Sequence, residues 1–384
     1  MKFPIYLDNN ATTPVDPLVL EEMLPYLKDK FGNASSSSHI FGLEADAAVN
    51  FARKRISELI NSTPEEIIFT SGATESINLA LKGYAESNFQ RGNHIITTPI
   101  EHKAVLDTSK YLEKHDFEIT YLKVDEFGII DLKELKNSIS DKTIIISVIF
   151  ANNEIGTIQP IEEIGKICKD KGIIFHTDSS QAVGKVNVDV NAMNIDLMSF
   201  TAHKMYGPKG VGVLYLKKNK GIKITEQMHG GGQEKGFRSG TLNVPSIVGF
   251  GKAAEISKKI MIEESKKILE LRNNLMKSFV TGIKGCSLNG HPEKRLPGNL
   301  NVSFDFTDSQ RILSSLKELA VSTGSACSSE TSEPSYVLKA IGKPDFLCKS
   351  SIRIGIGRFN TEEEINFTGE KVVTTLNKIK EEIN

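Results

Sequence analysis

The sequence has no excess of either charge and no long apolar run. Its 384 residues include 47 lysines and arginines against 48 aspartates and glutamates, which gives a formal net charge of −1. A balanced charge gives no electrostatic reason to expect a nucleic-acid partner. No apolar run approaches the roughly 20 residues that span a bilayer, and the start, MKFPIYLD, lacks the apolar core of a signal peptide. We therefore expect a cytoplasmic protein that binds neither nucleic acids nor membranes.

Cysteine is scarce as well. The four cysteines, Cys168, Cys286, Cys327 and Cys348, show no spacing typical of metal ligands, so we predict no metal site. In a reducing compartment they should be free thiols. Cys168 falls on the apolar side of a predicted helix over residues 161–171 and is most simply a core residue. Cys286 and Cys348 are interpreted as structural.

Short apolar segments alternate with amphipathic ones through roughly the first 220 residues, which is typical of an α/β protein. The length of the chain favours two domains. Strands are predicted at residues 67–70, 94–99, 117–124, 143–150, 173–178, 195–200, 298–304 and 351–357. Helices are predicted at residues 17–30, 45–61, from 73 onward, 161–171, 246–280 (one long helix or two), 311–318 and 361–384. The last third reads as a smaller α/β unit.

Polar or ionisable side chains repeatedly follow the predicted strands. Lys204 stands after one strand in a glycine-bounded loop, and Asp178 ends another. Ser71 and Thr74 border a turn from a strand into a helix. His102, Asn153 and Gln181 also follow strand ends. Because ligands of open α/β sheets bind outside the carboxyl ends of parallel strands, these side chains predict a ligand site there.

Each of these residues has an ordinary alternative. Lys204 alone is most simply a surface lysine, the turn at Ser71 a capped helix start, and Asp178 an N-cap. Together they favour a single ligand. A lysine in a partly desolvated pocket can form a Schiff base, an aspartate can hold a proton on a heterocyclic nitrogen, and a helix N-terminus can bind a phosphate. These are the requirements of pyridoxal phosphate.

Cys327 lies among small and polar residues over positions 321–334. Such neighbours leave a thiol accessible and its loop mobile, which suits a nucleophile that must travel. The alternative, an exposed cysteine without a function, is unattractive because exposed thiols are a liability.

Arginines indicate two further contacts. Arg353 alternates with isoleucines and is flanked by glycine on a predicted strand, which suggests that it holds a carboxylate in two hydrogen bonds. Arg358 follows and competes for this role. Arg238 and Thr241, in a glycine-rich segment, are placed to reach a phosphate.

Nine stretches of the chain resemble one enzyme family. They are YLDNNATT, SGATES, EHKAVL, NNEIG, HTDSSQAVGK, HKMYGPKG, GGGQEKGFRSGT, STGSACSSETSEPSYVL and SIRIGIGRF. In this order and over nearly the whole chain, they are similar to the motifs of cysteine desulfurases of the NifS/IscS type, in the group I form with a long cysteine loop. The resemblance implies an α/β, fold-type I pyridoxal-phosphate-dependent transferase with a large domain built on a mostly parallel seven-stranded sheet. The large domain would span residues 15–255, and residues 1–14 and 256–384 would form a smaller α/β domain that carries Cys327.

The resemblance also implies a role for each residue at the strand ends. Lys204 would hold the cofactor as a Schiff base and move the substrate Cα proton. His102 would stack on the ring and assist proton transfer, and Asp178 would keep the ring nitrogen protonated. The remaining cofactor contacts would come from Gln181 and Asn153 at the ring and from Ala73, Thr74, Thr201 and His203 at the phosphate. Thr241 would reach the phosphate of the partner subunit, so a homodimer is implied.

The implied reaction removes sulfur from L-cysteine. Arg353 would hold the substrate carboxylate near Asn153, and the Cys327 thiolate would attack the substrate sulfur, leaving L-alanine and an enzyme persulfide. An acceptor, such as an iron–sulfur scaffold protein or another thio-cofactor or tRNA pathway, would take the sulfur, and Cys327 could transiently ligate a cluster.

Two alternatives stay open. One is a selenocysteine lyase or another class V enzyme such as an aminotransferase, which would not need the mobile thiol of Cys327. The other is a non-catalytic interaction protein of the same fold. Retention of Lys204, Asp178, His102 and Cys327 argues against this second alternative.

Overall fold

The computed structural model describes residues 1–218, 220–323 and 334–383, so the predicted nucleophile Cys327 lies outside the described residues. Its helices are α1 (Pro17–Lys28), α2 (Ile40–Leu59), α3 (Ala73–Asn88), α4 (Lys103–Glu113), α5 (Leu132–Ser138), α6 (Ile161–Lys171), α7 (Val244–Gly282), α8 (Ser309–Ser315), α9 (Tyr336–Ala340), α10 (Asp345–Lys349) and α11 (Glu362–Ile383). Its strands are β1 (Ile5–Tyr6), β2 (Ile67–Thr70), β3 (His94–Thr97), β4 (Glu118–Tyr121), β5 (Thr143–Ser147), β6 (Ile174–Asp178), β7 (Leu197–Thr201), β8 (Gly212–Leu216), β9 (Cys286–Leu288), β10 (Asn299–Phe304), β11 (Leu319–Ala320) and β12 (Ser351–Gly355). No helix in this described part of the chain is both long and apolar enough to cross a membrane.

A seven-stranded sheet forms the centre of the molecule, in the order β2-β8-β7-β6-β5-β3-β4. Its strands run parallel except β8, which pairs antiparallel with both β2 and β7. The predicted mostly parallel seven-stranded sheet is therefore confirmed, although the sequence analysis did not identify β8. All five residues of β5 and of β6 are buried, as expected for central strands that are covered by helices on both faces.

The residues at the two ends of helix α6 explain where it begins and ends. Helix α6 begins after Pro160 and ends at Gly172, whose φ of 68° is a left-handed conformation that glycine adopts without steric cost. Its apolar side, including Ile164 and Cys168, is buried in the main core. The prediction of a helix over 161–171 with a core cysteine is confirmed.

A second core lies around a three-stranded antiparallel sheet, β12-β10-β9, and a parallel pair of β1 with β11. It combines Ile5 and Leu7 near the N-terminus with residues of β10, β12 and α11. Helix α7 is one continuous helix of 39 residues. Its first half, including Phe250, packs in the main core, and its second half, including Leu275, packs in the second core. The domain boundaries at 14/15 and 255/256 stay a prediction.

Some predicted boundaries are wrong. Helix α2 begins at Ile40, five residues before the predicted start, because His39 caps it by accepting a hydrogen bond from the Gly42 amide through Nδ1 (3.2 Å). The first turn contains the exposed apolar residues Phe41 and Leu43, so its pattern is not amphipathic. Helix α8 ends at Ser315, three residues early, because Leu316 leaves the helical conformation.

Candidate active site

The carboxyl ends of β5, β6 and β7 open into a cavity of about 450 Å³, a size that suits a small organic ligand. Nearly all of the predicted site residues line this cavity. Those that line it are Ala73, Thr74, His102, Asn153, Asp178, Gln181, Thr201, His203, Lys204 and Arg353. Thr241 is exposed and lies outside this lining.

One end of the cavity is the N-terminus of α3. Its N-cap is Gly72, which has no side-chain cap and has open space around the position of a Cβ atom. The first amides of a 16-residue helix therefore face the cavity with the positive end of the helix dipole. Ala73 and Thr74 line the cavity beside them. This end is chemically suited to a phosphate group.

Arg238 does not line the cavity of its own chain, so the expectation that it reaches a phosphate stays a prediction. Its Nε instead donates to Glu75 Oε1 (2.8 Å) in the first turn of α3. Burial opposes ionisation of Glu75, but hydrogen bonds from Arg238 and Ser71 more than offset it and lower the pKa of this carboxyl. Glu75 is thus a carboxylate whose negative charge Arg238 balances beside the helix N-terminus.

Thr201 and His203 also line the cavity, where β7 leads into a short turn. The Thr201 hydroxyl donates to the Val211 carbonyl oxygen (3.0 Å), so it must rotate to donate to a phosphate. His203 Nδ1 is 3.1 Å from Thr12 Oγ1. Burial, with the charges of nearby lysines, lowers the pKa of His203 to about 4, so its ring is neutral at pH 7.

Lys204 lies three residues after the end of β7, at the end of a short helical turn, and lines the cavity. Its Nζ donates to the carbonyl oxygens of Asn10 and Ala11, both at 2.6 Å. The N-terminal segment therefore forms part of the wall that holds the predicted Schiff-base lysine.

Asp178 ends β6 and is almost fully buried. Its Oδ1 accepts from the Ser180 amide (2.9 Å) and from the Ser180 hydroxyl (2.6 Å). Within the described residues both of these bonds use the same oxygen, which leaves Oδ2 for a ligand. A carboxylate fixed in this way can hold a proton on a ring nitrogen.

His102 caps α4 and faces the cavity with one defined nitrogen. Its Nδ1 accepts from the Ala104 amide (3.1 Å), so a neutral ring carries its proton on Nε2. Burial lowers the pKa of His102, an effect that the Asp178 carboxylate opposes and the Lys204 ammonium reinforces. The imidazole is therefore neutral at pH 7 and has an N–H donor for the cavity.

Arg353, in β12, also lines the cavity, and its side chain is only 1% exposed. Its Nη2 donates to Asp8 Oδ1 (2.8 Å) and its Nη1 donates to the Asn153 carbonyl oxygen (3.1 Å). Among the described residues neither Arg353 Nε nor Asn153 Oδ1 has a hydrogen-bond partner, although both atoms are buried. Unpartnered polar atoms at a cavity wall are suited to a polar ligand, here a carboxylate and an amine.

Arg358 does not compete with Arg353. It donates to Asp16 Oδ2 (2.8 Å) and to Glu264 Oε1 (2.5 Å), and it lies over the ring of Tyr206. These partners join the start of α1, the middle of α7 and the end of β12, away from the cavity lining.

The sequence analysis missed several residues that shape the site. Asp8 pairs with Arg353, Ser180 fixes Asp178, and Lys185 contacts Gln181. Glu101, directly before His102, is fully buried, and burial raises its pKa to about 8 against hydrogen bonds from Ile149 and Thr98. A signal for all four residues existed, since each falls inside a stretch that carries the family resemblance.

The described cysteines are poor nucleophiles. Cys168 and Cys348 are buried, and burial raises the pKa of both thiols. Burial also raises the pKa of Cys286 to about 12. All three are therefore protonated at neutral pH, which agrees with their interpretation as structural residues.

Residues on both sides of the undescribed stretch 324–333 contact the site. Ser322 exchanges two backbone hydrogen bonds with Arg353 (3.2 and 2.6 Å). The Ser335 hydroxyl donates to Glu154 Oε2 (2.5 Å), one residue after Asn153. Ser322 thus contacts the backbone of a residue that lines the cavity, and Ser335 contacts the sequence neighbour of another.

Comparisons with known proteins agree over nearly the full chain. Residues 5–367 match the family model described as aminotransferase class-V. The chain is 52% identical over 381 residues to the cysteine desulfurase IscS of Neisseria meningitidis serogroup C / serotype 2a, and the match covers 99% of this chain and 94% of that protein. A solved NifS-like protein superposes with a TM-score of 0.91 at 40% identity, over 97% of this chain and 99% of that one. A second structure, SspA in complex with cysteine, gives a TM-score of 0.82 at 36% identity, over 93% and 99% of the two chains.

Proposed function

Because the chain belongs to the class V aminotransferase family, and because its named relatives are cysteine desulfurases over nearly its whole length, we propose that it is a pyridoxal-phosphate-dependent cysteine desulfurase, a sulfurtransferase that converts L-cysteine into L-alanine and a Cys327 persulfide. The observation that carries the proposal is the convergence on one cavity of Lys204, Asp178 and the N-terminus of α3. A solved relative that was captured with cysteine supports the choice of substrate.

The residues of the cavity fit pyridoxal phosphate. When bound, this cofactor supplies an electron sink that allows bonds at the substrate Cα and Cβ to break. Lys204 would attach it covalently, and Asp178 would hold the proton on its ring nitrogen. His102 would cover the ring face, with Gln181 and Asn153 at the ring oxygen. The N-terminus of α3 would hold the phosphate, assisted by Thr74, Thr201 and His203.

The substrate would be held and deprotonated by this chain's own groups. Arg353 would bind the cysteine carboxylate with its buried guanidinium, and the unpartnered Asn153 Oδ1 lies on the same wall. The Lys204 amine, which lines the cavity, would take the Cα proton of the substrate. The neutral His102 would donate or relay a proton through Nε2.

In the sulfur-transfer step, we assign the role of nucleophile to Cys327. Its thiolate forms a bond to the substrate sulfur while the substrate Cβ–S bond breaks. The electron pair of that bond stays on carbon, which is then protonated to give alanine. Two contacts of described residues support this assignment, because Ser322 pairs with the backbone of Arg353 and the Ser335 hydroxyl donates to Glu154, the residue after Asn153.

A second copy of the chain would complete the site. Thr241 is exposed and lies away from its own cavity, which supports a contact with the phosphate of a partner subunit in a homodimer. The first turn of α2 and the preceding loop expose Phe31, Ile40 and Phe41, an apolar surface of the kind that subunit interfaces cover. The persulfide would pass to an iron–sulfur scaffold protein or another sulfur acceptor in the cytoplasm, where thiols stay reduced.

The deciding experiment follows sulfide and alanine in parallel after the purified, cofactor-loaded protein is mixed with L-cysteine and a thiol reductant. We expect equal amounts of both products from the wild type and neither from Cys327→Ala. Lys204→Ala serves as the control for the cofactor linkage and should lose the visible absorbance of the bound cofactor. Normal turnover by Cys327→Ala, or no cofactor absorbance in the wild type, would contradict the proposal.

A further inference from the structure

Lys185 is a half-buried lysine that contacts the cavity-lining residue Gln181 and has no part in the reaction described above. It follows β6 by seven residues, and the segment between them folds back in turns in which the Val183 and Lys185 amides donate to Ser179 and Ala182. These turns bring the side chain of Lys185 into contact with Gln181, which lies four residues earlier in the chain. Its Nζ donates to Gln181 Oε1 (3.0 Å).

Three contacts agree on one orientation of the Gln181 amide. Gln181 Oε1 accepts from Lys185 Nζ (3.0 Å) and from Asn10 Nδ2 (3.3 Å). Gln181 Nε2 donates to the Asn10 carbonyl oxygen (2.8 Å). A protonated Lys185 can only donate and so requires the amide oxygen on its own side. The Asn10 carbonyl oxygen can only accept, so it independently requires the amide nitrogen on the other side. The second N–H of Gln181 is then left for the cavity, which Gln181 lines.

The position of Lys185 is electrostatically costly. Burial, reinforced by the charges of Lys204 and Arg353, lowers the pKa of Lys185 to about 7, against an opposing effect of Glu264. The oxygens of Glu264 already accept from Arg358 (2.5 and 3.3 Å). A lysine that only filled space would be replaced by an apolar side chain at a lower cost.

We propose that Lys185 is a positioning residue that fixes the Gln181 amide, so that Gln181 presents an N–H donor, and not its carbonyl oxygen, to the ring oxygen of the cofactor. The inference rests on the proposed function, because it assigns a task to Gln181 at the bound cofactor. A donor at that oxygen stabilises its negative charge, and a carbonyl oxygen in the same place would repel it.

The test is the pH titration of the visible absorbance of the bound cofactor. In its high-pH form the ring oxygen carries the larger negative charge, and a donor favours that form. We therefore expect Lys185→Met, which keeps the length of the side chain, to raise the titration midpoint by about one pH unit, a tenfold change in the proton affinity. Lys185→Arg, which keeps a hydrogen-bond donor for Gln181, should leave the titration midpoint close to that of the wild type.

The Gln181→Ala background separates positioning from a direct charge effect. If Lys185 acts through Gln181, adding Lys185→Met to Gln181→Ala should move the midpoint little further. An equal shift in both backgrounds would mean that the Lys185 charge acts directly on the cofactor, and would overturn the inference. The inference would also be overturned if Lys185→Met left the titration midpoint unchanged and only lowered the melting temperature of the cofactor-free protein, because Lys185 would then have a purely structural role.

Failure of the proposed function is distinguishable from failure of this inference. A wild-type protein without cofactor absorbance would overturn both. A wild type that binds the cofactor and releases sulfide and alanine, with Lys185→Met titrating at the same pH, would overturn only the role of Lys185.

Discussion

Asp8 and Arg353 form an ion pair of 2.8 Å at the wall of the cavity, between the N-terminal segment and β12. The Arg353 side chain is buried, and that of Asp8 is one-fifth exposed. A substrate carboxylate that approaches Arg353 therefore meets a guanidinium whose charge is already balanced. The carboxylate must share this guanidinium with Asp8 or displace it.

Asp8→Asn should strengthen substrate binding and weaken the fold. Removing the carboxylate leaves the charge of Arg353 uncompensated, so we expect the KM for L-cysteine to fall roughly threefold or more. The loss of a buried partner should destabilise the protein by about 3 kcal/mol. Steady-state kinetics and chemical denaturation measure the two effects. Asp16→Asn, which removes a carboxylate from Arg358 outside the cavity, is the matched control and should lower stability without lowering KM.

A rise in KM for Asp8→Asn would show that the aspartate orients the guanidinium and does not compete for it.

Arg353→Ala should weaken the binding of L-cysteine far more than that of the cofactor. Hydrogen bonds to a charged partner contribute about 1.5–3 kcal/mol, which corresponds to a KM increase of roughly 10- to 100-fold. Cofactor affinity, measured by fluorescence titration of the cofactor-free protein, should change less than about threefold, a difference of under 1 kcal/mol. An equal loss of both affinities would place Arg353 in support of the cavity as a whole.

Arg238→Ala should weaken cofactor binding through Glu75. Without its arginine partner, the Glu75 carboxylate would stand uncompensated in the first turn of α3, where it repels a phosphate. We expect the Kd of the cofactor to rise about three- to tenfold, corresponding to roughly 1 kcal/mol. The double variant Arg238→Ala with Glu75→Gln should recover most of this loss. If the double variant binds as weakly as the single one, the arginine acts by another route.

Glu101→Gln should change how stability depends on pH. Burial raises the pKa of Glu101 to about 8 in the folded protein, so its contribution to stability is complete below the unfolded pKa near 4.5 and is lost as the pH rises towards 8. The slope from one such group reaches about 1.4 kcal/mol per pH unit. Glutamine keeps an oxygen acceptor for Thr98 and Ile149 and does not titrate.

Urea denaturation of Glu101→Gln between pH 5 and pH 9 should therefore give a flatter stability curve than that of the wild type. Parallel curves for the two proteins would mean that Glu101 is ionised throughout this range.

The sequence predicted most of the site because strand ends are local features. Apolar runs that end in polar residues identified Lys204, Asp178 and His102, and a parallel sheet brings such ends together whatever the details of packing. The same reasoning predicted the central sheet. It missed β8, which lies antiparallel between β2 and β7. The position of β8 depends on which strands it pairs with, and not on the pattern of apolar residues in its own sequence.

The supporting residues could not be predicted in this way. Asp8 meets Arg353 across 345 positions of the chain, and Glu101 gives no sign in the sequence that it is buried. Arg353 and Arg358 lie five residues apart in one short segment, and tertiary contacts distinguish the cavity residue from the one that joins α1 to α7. Residue partners of this kind are set by the packed structure, which local propensity does not encode.

The pairing of β1 with β11 has a consequence for the order of folding. Ile5 and Tyr6 pair with Leu319 and Ala320, so the N-terminal strand has no partner until more than 300 further residues have left the ribosome. Asn10, which follows it, supplies a carbonyl to both Lys204 and Gln181. The nascent chain can assemble its central sheet early, but the cavity lacks one wall until synthesis is nearly complete. We therefore expect the cofactor to be captured only after the two ends of the chain have paired.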